Sequence, residues 1–548
     1  MILPRIKKYR HMAGTFSQRI VFEPCCEAAL TASRFLSIFI PTVSFEISAS
    51  ATIFFKEKMF TKVGSYELKV EQESITLFYG DLEGIRNAIA TFSQIYNDGV
   101  IECCEIFDEP DNHFRSCMLD LARGYVEITC LKEHILRMAI LKYNHIHLHL
   151  MDRQSYALKS EVVPNPDNHR LYTKQEMKEL CEFCSSLCLE VIPEIEIPAH
   201  AVNQIKALPE LACDIISKKK AVETICRLSN PRKREFTDNK RGVSSWVVCA
   251  GKESTYELYE KIIAEICEVF AGKYLHVGGD ELEFPNLGAH HHWDNCKQCK
   301  QRMQQEKVSD IRGLYYYLMR RIHKIVSKYG KKMIIWNDQL DVSNPIDIPK
   351  DIIVEYWNGG VITNEKYILQ KLCNHGFEVI NAHYRYTYPD LPSYMQEHNI
   401  REWNVKTDML GESEVQGRIL GGETCAWELG NPLYDFYPCS LPVCMTLFAD
   451  RVWNNDVVEY DEKYRESVFS VIIGENIEWH PFVFFKEIIP PRDCQRNQLE
   501  GIDFDNVDCN ILQEILLKMQ MINQDEIYGK IVLSSYIDLL QRIKDCFE

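Results

Sequence analysis

No stretch of this chain stays apolar for the roughly 18 residues that a membrane helix needs. The longest candidate, residues 35–55, is broken by Pro41, Glu46 and several serines, and its apolar residues alternate as in strands. Phosphate cradles are missing too. Neither GxGxxG nor GxxxxGK[ST] occurs, which removes the common nucleotide-binding loops. Internal repeats and low-complexity segments are absent. Positive charge is in deficit: 62 Lys and Arg stand against 79 Asp and Glu, a net charge of −17 at pH 7. Nucleic acid and anionic membranes repel such a chain, so neither is expected as a partner. A neutral or cationic small substrate suits the balance better.

The start, MILPRIKKYRHMAGTFSQRI, has early basic residues but no continuous apolar segment, so no secretory leader is expected. Cysteine, by contrast, is plentiful at 22 residues. Many of these (Cys130, Cys181, Cys184, Cys188, Cys249, Cys267) lie inside helical or strand-like segments. They read as reduced, buried, small apolar side chains, and a cytoplasmic location is expected.

With 548 residues, 46% of them hydrophobic, the chain can bury a large core in more than one domain. Residues 1–110 read as an α+β unit: ELKVEQESITLFYG gives two strands and DLEGIRNAIATFSQIYNDG a helix. The link FDEPDNHFR marks a boundary. Over residues 111–455, eight short apolar segments read as strands: SCMLDL, HIHLHL, EVIPEI, YLHVGGD, MIIWND, IIVEYWN, FEVINA and RILGGETCAW. Helix-patterned segments such as KQEMKELCEFCSSL and IRGLYYYLMRRIHKIVSKYG lie between most of them. This is the pattern of an α/β protein built as a (β/α)8 TIM barrel. Residues 456–548 read as a C-terminal helical region.

Such barrels carry their functional groups at the C-terminal ends of the strands. Polar and aromatic residues collect at those positions here: Asp120 and Arg123, His147, His149 and Asp152, Glu194, Glu196 and His200, Asp280 and Glu281, Trp336 and Asp338, Trp357, Tyr388 and Asp390, and Trp427. Flat rings stack on the apolar face of a pyranose while carboxylates grip its hydroxyls, so the set suggests a sugar pocket. HVGGDE is the sharpest motif. Two carboxylates held close raise at least one pKa, which makes a usable acid near neutrality. Yet neighbours can hardly straddle a sugar ring, as the two carboxyls of an ordinary retaining glycosidase do. One of the two acids must do something other than attack carbon.

At this point the sequence resembles the family 20 glycoside hydrolases, the β-N-acetylhexosaminidases, from about Phe114 to Trp453. FRSCMLDLARGYV, HIHLHLMDRQSY, VIPEIEIPAHA, YLHVGGDE, IIWND, EYWN, YPD and ETCAW follow in that family's order. The resemblance implies a retaining exo-enzyme that removes terminal β-linked GlcNAc or GalNAc from oligosaccharides or glycoconjugates without a cofactor or metal. Its nucleophile is the substrate's own acetamide oxygen. By the same resemblance, Glu281 is the general acid and base, Asp280 orients the acetamide and Tyr388 binds its carbonyl. Trp336, Trp357 and Trp427 wall the pocket. Arg115 holds the O3/O4 edge and Asp390 the hydroxyls near O4 and O6. Asp152, Glu196 and His200 form a polar shell, which His149 and His276 either join or leave for the core.

Four departures bear on the pocket. Arg153 to Ala157 replaces the usual Asp-Gln-x-Trp-Arg, Ala199 replaces a Gly, and Glu196 stands for an Asp. After Trp427, Leu429 stands where a Glu usually holds O4 and O6, with Glu428 one residue earlier. Release of a disaccharide of the lacto-N-biose type is the alternative within the family. Outside it stand a catalytically silent sugar-binding protein and a metal-dependent hydrolase using His147, His149, His200 and His276. The metal reading is weakened by the expectation that only one of the two strand histidines faces the barrel axis. Cys296 and Cys299, close after His290–His292, read either as a zinc half-site or as two thiols on a surface loop.

Overall fold

The computed structural model describes residues 2–24, 26–97, 99–166, 168–213, 237–238, 243–244, 247–282, 290–358, 366–389, 397–408, 413–427, 441–456 and 467. The predicted C-terminal helical region thus lies almost wholly outside the described residues.

The N-terminal unit is a seven-stranded sheet. Its strands run in the order β1 (Lys8–Phe16), β7 (Ile101–Asp108), β5 (Tyr66–Val70), β6 (Ile75–Tyr79), β4 (Ile53–Glu57), β2 (Ile20–Phe22), β3 (Phe45–Ile47). The two strands read from ELKVEQESITLFYG are β5 and β6, antiparallel, with Tyr66 opposite Tyr79 and Val70 opposite Ile75. Helices α1 (Glu27–Phe39) and α2 (Leu82–Ile95) pack on the sheet. Asp81 caps α2 by accepting from the Gly84 N–H at 2.8 Å, which satisfies one of the four orphan donors of its first turn.

The second unit is a closed barrel of eight parallel strands: β8 (Phe114–Asp120), β9 (His145–His149), β10 (Glu190–Glu194), β11 (Tyr274–His276), β12 (Lys332–Trp336), β13 (Ile353–Tyr356), β14 (Glu378–Asn381) and β15 (Arg418–Ala426). β15 pairs back onto β8, with Ala426 opposite Leu119. Alternation along each strand sorts side chains inside and out. Phe114, Ile192, Tyr274, Ile334, Ile353 and Ile380 form an apolar plug. Two residues further along several of the same strands the interior turns polar, with Glu194, His276 and Glu355, all buried. Above that layer lies an aromatic cluster of Trp336, Tyr384, Tyr388 and Trp427, with Trp357 against it. The barrel therefore grades from apolar to charged to aromatic toward the C-terminal ends of its strands.

Candidate active site

β11 stops at His276, and the chain then turns through left-handed backbone at Gly278 (φ 64°), Gly279 (φ 94°) and Glu281 (φ 51°). A Cβ on Gly278 would overlap the Glu196 carboxylate, so only glycine fits there. In an extended strand, Asp280 and Glu281 would point to opposite sides. The turn instead sets both against one imidazole. His200 Nε2 lies 3.4 Å from Asp280 Oδ2 and 3.3 Å from Glu281 Oε2. His200 is itself left-handed, at φ 54°, so His200 and Glu281 both sit on strained backbone.

Behind His200 runs a chain of charges. Its Nδ1 lies 3.3 Å from the Asp152 carboxylate. Asp152 also receives Arg123 Nη2 at 2.6 Å and His149 Nε2 at 3.1 Å. Arg123 Nη1 donates to Asp120 at 2.7 Å, and its guanidinium carbon sits 5.0 Å from the Trp427 ring centre. Burial opposes ionisation of Asp152, but Arg123 and His200 outweigh it and hold its carboxyl well below the ordinary range. Burial likewise disfavours the His200 imidazolium, yet Asp152 and Asp280 raise it well above the usual histidine value.

Glu194 is the hub of the barrel interior. It accepts from Trp336 Nε1 at 2.8 Å, pairs with His276 Nδ1 at 2.8 Å and His147 Nε2 at 3.2 Å, and bonds His149 Nδ1. His147 Nδ1 pairs in turn with Glu423 at 2.8 Å. Both ring nitrogens of His147 are therefore taken by carboxylates. Burial opposes the charged form of both histidines, but these carboxylates lift His147 to about 10 and His149 to about 9.

The rings of Trp336, Trp357, Tyr388 and Trp427 lie together. Trp336 and Trp427 have ring centres 5.9 Å apart, Trp427 and Tyr388 6.1 Å, and Tyr388 stacks on Trp357 at 6.4 Å. Asp338 ties this wall to the acid pair. It accepts from the Trp357 Nε1–H at 3.2 Å and the Glu281 backbone N–H at 2.9 Å. Burial, followed by the neighbouring Asp280, pushes the Asp338 carboxyl up from 3.8 to about 7. Folding therefore favours its protonated form. Wild-type stability relative to Asp338→Asn is expected to be highest below pH 3.8, to fall as pH rises toward about 7 and to level off above it. Thermal unfolding of both proteins across that range measures it.

The structure corrects three expectations. Arg115 is the second residue of β8, at the end of the strand opposite Asp120. It is fully buried, pairs with Glu83 of α2, donates to Lys142 O at 2.9 Å and stacks on Trp453. It fastens the barrel to the N-terminal unit and does not reach the pocket. Arg123, read from sequence only as a strand-end polar residue, occupies the pocket instead. Second, His147 and His149 both point into the barrel, because residues two apart on a strand share a face. Third, Cys296 and Cys299 are buried, not on a surface loop.

Glu196 lies against Gly278 and near Asp280, and His276 pairs with Glu194. Glu355 and Glu423, also in the buried polar layer, are not among the candidates the sequence offers. Their signal was a carboxylate in each of two otherwise apolar strand segments, IIVEYW and GGETCAW. Asp390, Glu428 and Leu429 lie outside the described residues.

Fold and site together define a glycoside hydrolase of the (β/α)8-barrel class. The family "Glycosyl hydrolase family 20, catalytic domain" matches residues 112–431, more than half of the chain, and the chain belongs to that family. It is 30% identical over 251 residues to a beta-hexosaminidase of Porphyromonas gingivalis, which covers 43% of this chain and 29% of that protein. It is 24% identical over 414 residues to the human beta-hexosaminidase subunit beta, covering 73% of this chain and 68% of the subunit. Among solved structures, the beta-N-acetylhexosaminidase of Bacteroides fragilis superposes with a TM-score of 0.71 at 22% identity, over 88% of this chain and all of that one. A family 20 exo beta-N-acetylglucosaminidase of Vibrio harveyi, in complex with N-acetylglucosamine, gives 0.70 at 22% identity, over 86% of this chain and 76% of that one.

Proposed function

We propose that this chain is a retaining exo-β-N-acetylhexosaminidase that releases terminal β-linked N-acetylhexosamine by substrate-assisted catalysis. One observation carries the reading: Asp280 and Glu281 both contact His200 Nε2, within 3.4 Å. One imidazole nitrogen reaches both carboxylates, so they stand side by side and do not straddle a sugar ring. That geometry argues against an acid and a carboxylate nucleophile facing each other across the substrate. One acid moves the proton and the other handles the acetamide.

Glu281 protonates the leaving oxygen while the acetamide oxygen attacks the anomeric carbon, and an oxazolinium-type ring forms. Glu281 then takes a proton from water as the ring reopens. Asp280 accepts the acetamide N–H, which gains positive charge as the ring closes, and Tyr388 donates to the carbonyl oxygen. Trp336, Trp357 and Trp427 exclude water and stack on the sugar, which strengthens every charge interaction inside. Arg123, anchored by Asp120 and Asp152, presents its guanidinium to the sugar hydroxyls.

A panel of aryl β-glycosides tests the substrate class. GlcNAc and GalNAc glycosides are expected to be cleaved and the lacto-N-bioside not; efficient release of the disaccharide alone would overturn the exo-monosaccharide reading. The two arginines separate in the same assay. Arg123→Lys is expected to lower kcat/KM by about 10–100-fold, the equivalent of one charge-assisted hydrogen bond. Arg115→Lys is expected to lower the unfolding temperature while KM stays at the wild-type value. A KM change in Arg115→Lys alone would reverse the assignment.

A further inference from the structure

The four side chains of Cys213, Cys249, Cys296 and Cys299 are fully buried and converge on one point, their sulfurs all within 4.8 Å of one another. Cys249 Sγ is 3.6 Å from both Cys296 Sγ and Cys299 Sγ, and Cys213 Sγ is 3.9 Å from Cys299 Sγ. A tetrahedron with zinc–sulfur bonds of about 2.3 Å has sulfur–sulfur edges of about 3.8 Å. A disulfide would bring one pair to about 2.0 Å and leave the rest apart. Equal distances from Cys249 to two different cysteines suit one shared central ion.

The surrounding backbone is built to hold this arrangement. Cys296 sits at the N-cap of the helix Lys297–Glu306, whose first turn carries Cys299, so the helix N-terminus faces thiolates that it favours. Gly251, two residues after Cys249, packs so tightly on the Gln298–Cys299 backbone that a Cβ would collide there. Cys249 N–H donates to Leu211 O at 2.8 Å, and Trp293 Nε1 donates to Val248 O at 2.9 Å. Three separate segments are thereby brought to one knot. The donor set, four sulfurs and no oxygen, selects a soft, tetrahedral ion over a hard one.

The geometry points to a structural zinc ion held by Cys213, Cys249, Cys296 and Cys299. It ties the segment leading away from His200 to the segment following Glu281, and so braces the loops that carry the acid pair. The chemistry of bond cleavage does not pass through it. The site is independent of the proposed substrate and stands or falls apart from it.

Elemental analysis of the full-length chain, purified without chelator, tests this directly. About one zinc per chain is expected, released in step as an organomercurial caps its four thiolates. Exchange into cobalt(II) is expected to give the strong visible absorption of tetrahedral thiolate coordination. Cys249→Ser and Cys299→Ser are expected to lose the zinc and to unfold at lower temperature. Three outcomes overturn the proposal. The first is no stoichiometric zinc even after incubation with zinc chloride. The second is an intact mass four hydrogens short, which marks two disulfides. The third is stoichiometric iron in place of zinc.

Discussion

Replacing Glu281 by glutamine is expected to lower kcat/KM for an unactivated N-acetylglucosaminide by about 10²–10⁴-fold. A sugar leaving group departs as an alkoxide unless it is protonated, and an amide has no proton of suitable acidity to give. The loss should shrink for a dinitrophenyl leaving group, which needs no proton, so the dependence of rate on leaving-group pKa should steepen in Glu281→Gln. A misfolded variant would lose activity on both substrates alike. The backbone N–H that anchors Glu281 to Asp338 is untouched by the substitution, so the turn should persist. Equal rates for variant and wild type on the unactivated substrate would remove Glu281 from the proton transfer.

Asp280→Asn is expected to have the second largest effect, about 10²–10³-fold in kcat itself. Asp280 Oδ1 is buried and has no hydrogen-bond partner among the described residues, an acceptor left open on the acid pair. Its work is to meet charge that appears on the acetamide nitrogen only as the ring closes. An interaction made in the transition state and not the ground state changes kcat more than KM. Asparagine keeps the shape and removes the charge. A thiazoline mimic of the cyclic intermediate should lose affinity for Asp280→Asn in parallel with the fall in kcat/KM. A variant with unchanged kcat and raised KM would make Asp280 a simple binding residue.

Much of this was legible in the sequence, for reasons that differ by feature. The barrel strands are short, apolar and bounded by turn formers, so the alternation with helices is plain from HIHLHL to ETCAW. The acid pair was legible because its residues are neighbours, and adjacency alone constrains chemistry. Arg115 and Arg123 were separable by strand logic: Arg115 lies at the start of β8 and Arg123 just past its end, and barrels carry function at the C-terminal ends of their strands. The resemblance pointed to Arg115, and pairing with β9 and β15 fixes it at the far end. Glu355 and Glu423 look like ordinary polar residues in a strand until burial shows that they share a core with His147. The cysteine cluster was hidden by distance along the chain. Cys213, Cys249 and the Cys296–Cys299 pair have no spacing motif in common, and only the fold brings them together.

The central claim is that the substrate's acetamide oxygen, held by Asp280, is the nucleophile. Progressive fluorination of the N-acetyl methyl group weakens that oxygen and leaves the leaving group alone. For aryl N-acetyl, N-fluoroacetyl, N-difluoroacetyl and N-trifluoroacetyl β-glucosaminides, the account predicts a kcat/KM that falls steeply at each step. A kcat/KM that stayed level across the series would contradict it and assign the attack to a group of the protein.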